Sequence, residues 1–323
     1  MKFAILFCGQ GSQKIGMGLD LYEQSEIAKE LFKKIDNYSK RKITDIFLYG
    51  PPDELNQTKN TQISIVIVSV ALTLLLKEEL TKKNLSFDPV GCCGHSLGEF
   101  TALWYSNAIS LEDLIKIVLI RGELMQNAPA GAMAAILNLS FEKIQEVINQ
   151  YKDKIIIANH NTPSQFVISG EKELIEKILG EIKSLGGKAI ILPVSGAFHS
   201  PLMSEPAKAF DRELDKLLPK TSPISLPIYQ NYDGYPSTDY ETIKEKIKKQ
   251  MTSSVLWTQT ITNLVNNGVT AVVEIGPGKV LTGLVNKINP NIDCYNISDL
   301  TSLKNFIDKY EHQLLQRKTT KTA

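Results

Sequence analysis

The chain has 323 residues, of which 43% are hydrophobic and 22% are charged, as is ordinary for a soluble globular protein. Lysine and arginine total 36 against 35 acidic residues, which gives a net charge of +1. This balance creates no overall electrostatic field, so neither nucleic acid nor a membrane surface is expected as a partner.

The cysteines and the apolar runs predict a cytoplasmic location. None of the four cysteines has the C-x-x-C spacing, so neither a metal site nor a disulfide framework is predicted. Buried thiols in a reducing compartment are the simpler interpretation. The N-terminal apolar run is too short for a signal peptide, and no stretch of about 18 apolar residues could span a bilayer.

Residues 1–128 alternate strand and helix patterns. The predicted elements are a strand at Phe3–Phe7, a glycine-rich turn at 9–13, two helices up to about Lys40, a strongly apolar helix at 63–80, a strand at 89–93, a helix at 99–107 and a helix from Leu111 to about Gln126. This alternation predicts an α/β fold with a mainly parallel sheet.

Residues 129–195 follow another pattern. The predicted elements are a strand at 133–137, a helix at 141–151, strands at 155–158 and 165–169, a helix at 172–185 and a strand at 189–192. The order βαββαβ is typical of a ferredoxin-like unit. We therefore expect a small ferredoxin-like domain inserted into the larger one.

The large domain resumes over residues 196–290. Its predicted elements are a helix at 205–218, a strand region at 224–229, a helix at Trp257–Asn266 and a strand at 269–275. Residues 291–323 are expected to form a C-terminal helix and a tail that is frayed over 318–323.

A G-x-S-x-G motif lies between a predicted strand and a predicted helix, at Gly94, Ser96 and Gly98. This arrangement is typical of a nucleophile elbow, in which a sharp turn lifts the serine hydroxyl out of the backbone. The N-terminal amides of the following helix favour a developing oxyanion. The motif predicts an α/β-hydrolase-like large domain whose Ser96 attacks acyl groups.

A serine nucleophile needs a base, and only four histidines are available. His95 adjoins Ser96 in the elbow, where neighbouring side chains diverge. His312 lies in a C-terminal helix, and His160 lies in a loop of the small domain. His199 lies in a loop of small residues where the chain re-enters the large domain, and we predict it as the base.

Arg121 lies on the apolar face of its predicted helix. At about 100° per residue, it falls opposite the stripe of charged side chains formed by residues 112, 116 and 123. Because a buried lone charge is costly, this arginine needs an anion. One interpretation is a structural ion pair. The other is a guanidinium that binds the free carboxylate of a dicarboxylic acyl group.

The turn at 9–13 follows the first strand. Ligands of parallel sheets gather at the carboxyl ends of the strands. A backbone amide of this turn could therefore provide half of an oxyanion hole, and the amide of Leu97, just after the nucleophile, could provide the other half.

Taken together, these motifs resemble the malonyl-CoA:acyl carrier protein transacylases, a family shared with polyketide synthase acyltransferase domains, including discrete trans-acting ones. The matching segments occur in family order from residue 1 to about 290. They are 9–13 (GQGSQ), 94–99 (GHSLGE), Arg121-Gly122, 196–200 (GAFHS), Gln250 with 254–257 (SVLW), and 274–278 (EIGPG).

The resemblance implies that Ser96 takes a malonyl group from malonyl-CoA and passes it to the phosphopantetheine thiol of an acyl carrier protein. It implies His199 as general base and acid and Arg121 as the malonate clamp. It also implies that the backbone amides of Gln10 and Leu97 form the oxyanion hole. No metal, and no cofactor beyond the CoA thioester substrate, is implied, and we expect a monomer.

Two further roles come from the resemblance alone. The main-chain carbonyl of Gln250 would orient His199 in place of an aspartate. Phe198 is similar to the residue of malonyl-selective members, whereas methylmalonyl-selective members tend to have a small serine there. One methyl group is worth only about 1–3 kcal/mol, so Phe198 indicates a preference.

Two other functions stay open at this point. A serine thioesterase or acyl hydrolase shares the elbow, although such enzymes usually have the catalytic histidine close to the C-terminus. A non-catalytic carrier-binding protein could keep the fold, although Ser96, His199 and Arg121 argue against it. The pathway, fatty acid or polyketide biosynthesis, is left open.

Overall fold

The computed structural model describes residues 1–151, 153–194, 196–217 and 223–321. In these ranges the strands are β1 (Phe3–Phe7), β2 (Gly91–Gly94), β3 (Ala132–Leu137), β4 (Ile155–Thr162), β5 (Gln165–Gly170), β6 (Lys188–Ile191), β7 (Ile228–Tyr229), β8 (Pro236–Ser237), β9 (Ala271–Ile275) and β10 (Asp293–Ile297). The α-helices are α1 (Leu19–Gln24), α2 (Glu26–Ser39), α3 (Ile43–Tyr49), α4 (Pro52–Leu55), α5 (Thr58–Lys82), α6 (Gly98–Tyr105), α7 (Leu111–Gln126), α8 (Phe141–Ile148), α9 (Lys172–Ser184), α10 (Ser204–Leu217), α11 (Tyr240–Gln250), α12 (Trp257–Asn266), α13 (Val280–Ile288) and α14 (Leu300–Lys321).

The larger sheet has the order β10-β9-β1-β2-β7-β8. Its first five strands are parallel, and only β8 runs antiparallel, beside β7. Strand β1 lies in the interior of the sheet, between β9 and β2. All five of its residues are apolar and buried, as is typical of such a strand. The predicted α/β fold with a mainly parallel sheet is confirmed.

Helix α5 is the long apolar helix that the sequence predicts, and it begins five residues earlier than the predicted 63–80. It is buried on every side over residues 60–73. The hydroxyls of Ser69 and Thr73 donate to the carbonyls one turn back, at 2.8 and 2.7 Å, so these polar groups are satisfied inside the core. Within the described ranges, no helix has the length and apolar character needed to cross a membrane.

The smaller sheet is antiparallel, in the order β4-β5-β3-β6, and helices α8 and α9 pack on one of its faces around a separate apolar core. The predicted ferredoxin-like order is confirmed. Strand β4 extends beyond the predicted residue 158 because two bulges let its pairing with β5 continue to Thr162. A bridge between Ala130 and Gly196 brings the two ends of this unit together.

Three expectations from the sequence need correction. The strand region 224–229 is only Ile228–Tyr229, because Pro227 before it has no N–H for the ladder. Segment 291–323 also contributes β10 to the larger sheet, with Tyr295 and Ile297 buried and their neighbours half-exposed, as at a sheet edge. Helix α14 continues to Lys321 instead of fraying from 318. Residues 322–323 lie outside the described residues, and so does residue 218, where the helix that starts at 205 was predicted to end.

Candidate active site

The nucleophile elbow forms where β2 turns into α6. Ser96 adopts a left-handed conformation with φ = 49°, which is rare for a residue with a side chain. A Cβ on Gly94 would lie 2.0 Å from the Gly98 carbonyl carbon, and one on Gly98 would lie 2.0 Å from the Phe7 oxygen. Only glycine at both positions lets the turn pack against β1 while it lifts Ser96.

Replacing Gly98 with alanine is therefore expected to lower the free energy of unfolding by about 3 kcal/mol, because the backbone of β1 cannot give way. Thermal and denaturant unfolding would measure the loss. Gly180→Ala in α9 is the matched control, since a Cβ there meets no atom within 4 Å. If both variants unfold like the unmodified chain, the close approach is not a constraint.

Asn231 holds the elbow in shape. Its Oδ1 accepts a hydrogen bond from the Ser96 N–H at 2.7 Å, and its Nδ2 donates to the Gly94 carbonyl at 2.7 Å. Asn231 follows strand β7, which pairs with β2, so it lies at the same edge of the sheet as the nucleophile. This residue was not predicted from the sequence, although a polar pair directly after a buried strand is a usable signal.

The structure brings Ser96 and His199 together from positions 103 residues apart. The Ser96 Oγ lies 2.7 Å from the His199 Nε2, and the His199 Nδ1 lies 2.9 Å from the main-chain oxygen of Gln250. A carbonyl only accepts, so Nδ1 carries the proton and Nε2 is free to accept one from Ser96. His95 instead pairs with Asn161, 2.8 Å away, as its divergent direction predicts.

His199 is neutral in this environment. Burial lowers its pKa to about 3, and the nearby positive charge of Arg121 acts in the same direction. A histidine with a depressed pKa is deprotonated throughout the physiological range. It is therefore ready to accept a proton without first losing one to solvent.

We expect the imidazole NMR signals of His199 to stay those of the neutral Nδ1–H tautomer between about pH 5 and 8. The reason is that the protonated form becomes populated only as the pH falls towards 3. Titration of His199 near the ordinary value of 6.5 would show that its burial is not maintained in solution.

Arg121 lies in the core beside the nucleophile and is only 1% exposed. Its Nη1 donates to the Gln62 Oε1 at 2.8 Å, and its Nη2 donates to the Ser96 Oγ at 3.0 Å and to the Gln250 Oε1 at 3.2 Å. These acceptors are amide and hydroxyl oxygens, not carboxylates. The structural ion pair considered from the sequence is therefore not what holds Arg121.

The guanidinium of Arg121 keeps its charge at neutral pH. Burial lowers its pKa to about 10, still well above neutrality. The guanidinium carbon lies over the ring of Phe100, 5.1 Å from the ring centroid. Its Nε is buried and, within the described chain, donates to no acceptor. The site thus holds a buried cation with donor capacity left for an anionic ligand.

The turn after β1 lies directly against the elbow. A Cβ on Gly9 would lie 2.4 Å from the His95 carbonyl oxygen, so the two backbones touch there. Within the described ranges, neither the Gln10 N–H nor the Leu97 N–H donates a hydrogen bond to a protein acceptor. The Gln10 amide belongs to the turn after β1 and the Leu97 amide to the elbow, and these two turns meet at Ser96.

A cleft of about 200 Å³ opens above Ser96 and His199, between the elbow and the small sheet. Its polar walls carry the side-chain amides of Asn159, Asn161 and Gln165, and its apolar walls include Met125, Met133, Val167, Leu192, Val194, Phe198 and Val280. Phe198 is 4% exposed and lines this cleft next to His199 in the chain. The predicted selectivity residue thus lies at the cleft, together with Gln10, Ser96 and His199. Arg121 and Gln250 do not line it but contact Ser96, and Leu97 follows Ser96 in the chain.

Comparisons with known proteins agree with this geometry. A family model described as "Acyl transferase domain" matches residues 5–308. Malonyl CoA-acyl carrier protein transacylases are 38% identical over 310 residues in Staphylococcus aureus strain MRSA252 (94% of this chain, 97% of that protein) and 39% identical over 305 residues in Bacillus subtilis strain 168 (92% and 94%).

Solved structures are similar over nearly the whole chain. The malonyl CoA-acyl carrier protein transacylase of Clostridium perfringens superposes with a TM-score of 0.89 at 33% identity, covering 98% of this chain and 100% of that one. A malonyl-transacylase in complex with a type II PKS acyl-carrier protein gives 0.90 at 31% identity, covering 96% and 100%. The chain therefore belongs to the acyl transferase family and, within it, to the malonyl-CoA:acyl carrier protein transacylases.

Proposed function

We propose that this chain transfers a malonyl group from malonyl-CoA to the phosphopantetheine thiol of an acyl carrier protein through an acyl-enzyme on Ser96. One observation carries the proposal: the Ser96 Oγ is in hydrogen-bond contact with both a neutral His199 and a charged Arg121. The first contact supplies a base, and the second supplies a cation at the nucleophile. A plain hydrolase needs only the first.

The short distance between the two carbonyl carbons of a malonyl group matches the position of Arg121 beside Ser96. In malonate the carboxylate carbon lies only two bonds, about 2.5 Å, from the reacting carbonyl carbon. A clamp for this carboxylate has to be adjacent to the nucleophile, and the Arg121 Nη2 is 3.0 Å from the Ser96 Oγ. A longer dicarboxylate would place its charge beyond this position.

The first half of the reaction acylates the enzyme. His199 Nε2 takes the hydroxyl proton of Ser96 as Oγ attacks the thioester carbon, and the carbonyl oxygen becomes an oxyanion between the amides of Gln10 and Leu97. The carbon–sulfur bond then breaks. The CoA thiolate leaves with the proton held by His199, and the malonyl ester stays on Ser96.

The second half returns the site to its starting state. The carrier thiol gives its proton to His199 and attacks the ester carbon, and the same two amides bind the oxyanion. The carbon–oxygen bond breaks, and Ser96 takes the proton back from His199. The Gln250 carbonyl, 2.9 Å from Nδ1, fixes the ring in the tautomer that both halves require.

The proposal extends to the finer expectations from the sequence. We infer a monomeric, cytoplasmic enzyme with no cofactor beyond the CoA thioester substrate. The lack of C-x-x-C spacing supports the expectation of reduced thiols and of no zinc site. Phe198 would favour malonyl over methylmalonyl groups because its ring lines the cleft. Either fatty acid or polyketide biosynthesis could use this transfer.

Initial rates at varied malonyl-CoA and varied phosphopantetheine-loaded carrier test the function. Ping-pong transfer predicts parallel double-reciprocal lines and one malonyl-carrier for each CoA released. Free malonate formed at a rate that the carrier does not change would identify a hydrolase. If no CoA is released at all, both enzymatic interpretations are wrong.

A further inference from the structure

Glu99 is a buried acid one turn after the nucleophile. It is only 1% exposed and lies in the first turn of α6, three residues after Ser96. Its carboxylate accepts hydrogen bonds from the Gln230 Nε2 at 3.2 Å, the Asn231 N–H at 3.3 Å and the Gln250 Nε2 at 2.7 Å. No step of the mechanism above uses this carboxylate.

The amide of Gln250 links Glu99 to the reacting groups, and it fits in one orientation only. Its Oε1 accepts from the Arg121 Nη2 at 3.2 Å, while its Nε2 donates to the Ser96 carbonyl at 2.9 Å and to Glu99. A guanidinium only donates and a backbone carbonyl only accepts, so a flipped amide would lose both contacts. Residue 99 must therefore be an acceptor on the side that faces Gln250.

The two buried charges of the site are separated by this amide. The Glu99 carboxylate contacts Gln250, and Gln250 contacts the Arg121 guanidinium, which gives a chain of carboxylate, amide and guanidinium. Burial raises the pKa of Glu99 to about 7. The hydrogen bonds from Gln250, Gln230 and Asn231 oppose that rise, and so does the charge of Arg121. Each ion thus stabilises the other without a direct ion pair.

A direct ion pair between Glu99 and Arg121 would weaken the binding of the malonyl carboxylate. An arginine already bound to a carboxylate has less donor capacity and less net charge to offer a second one. With Gln250 between them, the Glu99 carboxylate still stabilises the buried Arg121 guanidinium, and the guanidinium keeps donors for the carboxylate of the acyl group. The same amide belongs to the residue whose carbonyl orients His199.

We propose that Glu99 is a positioning residue for malonyl transfer, because its carboxylate fixes Gln250 and holds the counter-charge of Arg121 one amide away from the acyl site. This inference rests on the proposed function and deepens it. Glu99 touches neither the substrate nor the reacting atoms. It acts through Gln250 on Arg121 and His199.

The first test is Glu99→Gln, which keeps the shape and removes the charge. The new amide presents N–H groups to donors, so Gln250 shifts and Arg121 loses its counter-charge. We expect malonyl loading from malonyl-CoA to fall about 100-fold and acetyl loading to fall less than about 10-fold. Glu123→Gln on α7, a half-exposed glutamate on the helix that carries Arg121, is the matched control and should behave as the unmodified chain.

The second test is the exchange Glu99→Gln with Gln250→Glu. This double variant restores donor–acceptor complementarity between residues 99 and 250. A glutamate at 250 cannot donate to the Ser96 carbonyl, so thermal stability should recover only in part. It also places the carboxylate directly beside Arg121. We therefore expect the preference for malonyl over acetyl groups to stay lost by about 100-fold, a result that a merely structural role for Glu99 does not predict.

Each outcome decides the inference. Unchanged malonyl-to-acetyl ratios in Glu99→Gln, or an exchanged variant that prefers malonyl as strongly as the unmodified chain, would overturn it. If Glu99→Gln does not fold, the exchanged variant decides. If neither folds, Glu99 is a requirement of the fold and not a positioning residue. Absence of malonyl loading in the unmodified chain would refute the proposed function itself, so the two failures are distinguishable.

Discussion

Replacing Ser96 with alanine is expected to lower the rate of malonyl transfer by about 10⁴- to 10⁶-fold and to abolish the covalent malonyl adduct. The reason is that Oγ is the atom that contacts both His199 and Arg121, at 2.7 and 3.0 Å, and among the residues that the structure describes no other hydroxyl makes both contacts. The residual rate would come from substrate binding and the backbone amides alone. Transfer rates and intact-protein mass measure the two effects.

Ser184→Ala, an exposed serine at the end of α9, is the control and should transfer malonyl groups normally. The circular dichroism of Ser96→Ala should match that of the unmodified chain, because the left-handed turn is held by Gly94, Gly98 and Asn231. A Ser96→Ala variant that still carries a malonyl adduct would place the nucleophile elsewhere.

Replacing Arg121 with alanine is the second large effect. Loss of a buried charge-assisted contact with the malonyl carboxylate is worth about 3–4 kcal/mol, so malonyl transfer should fall about 10²- to 10³-fold. Acetyl transfer should fall less than about 10-fold, since an acetyl group has no free carboxylate. The measurement is the ratio of kcat/KM for malonyl-CoA to that for acetyl-CoA.

Two further variants sharpen this result. Arg121→Lys keeps the charge but loses the planar fork, so we expect part of the malonyl preference to remain. Arg212→Ala, an exposed arginine on α10, should leave the ratio unchanged. If Arg121→Ala lowers malonyl and acetyl transfer equally, Arg121 stabilises the site without selecting the acyl group.

The parts of the site that follow from local sequence could be predicted. The elbow is a contiguous motif. Its glycines are needed because a Cβ on Gly98 would meet the backbone of β1, and one on Gly94 would meet the backbone at the start of α6. Arg121 was identified by its place on an apolar helix face, and it is buried there. Its partner Gln62 could not be identified, because it belongs to α5, 59 residues away, and the contact exists only once the two helices pack.

The network behind the site was missed for the same reason. Glu99 lies within the quoted motif, yet its partners Gln230 and Gln250 are more than 130 residues away, and periodicity carries no information on such pairs. The role of Gln250 came from a resemblance, since a glutamine at the end of a lysine-rich helix has no local signal. Strand β10 was not predicted because short edge strands have a weak apolar pattern.

Intact-mass measurement after mixing with malonyl-CoA tests the central claim most directly. We predict one malonyl group on the protein, mapped by peptide mass to Ser96, that persists in buffer and is discharged when a phosphopantetheine-loaded carrier is added. An adduct lost to water as fast as to the carrier would contradict transfer. An adduct mapped to any other residue would contradict the assignment of Ser96.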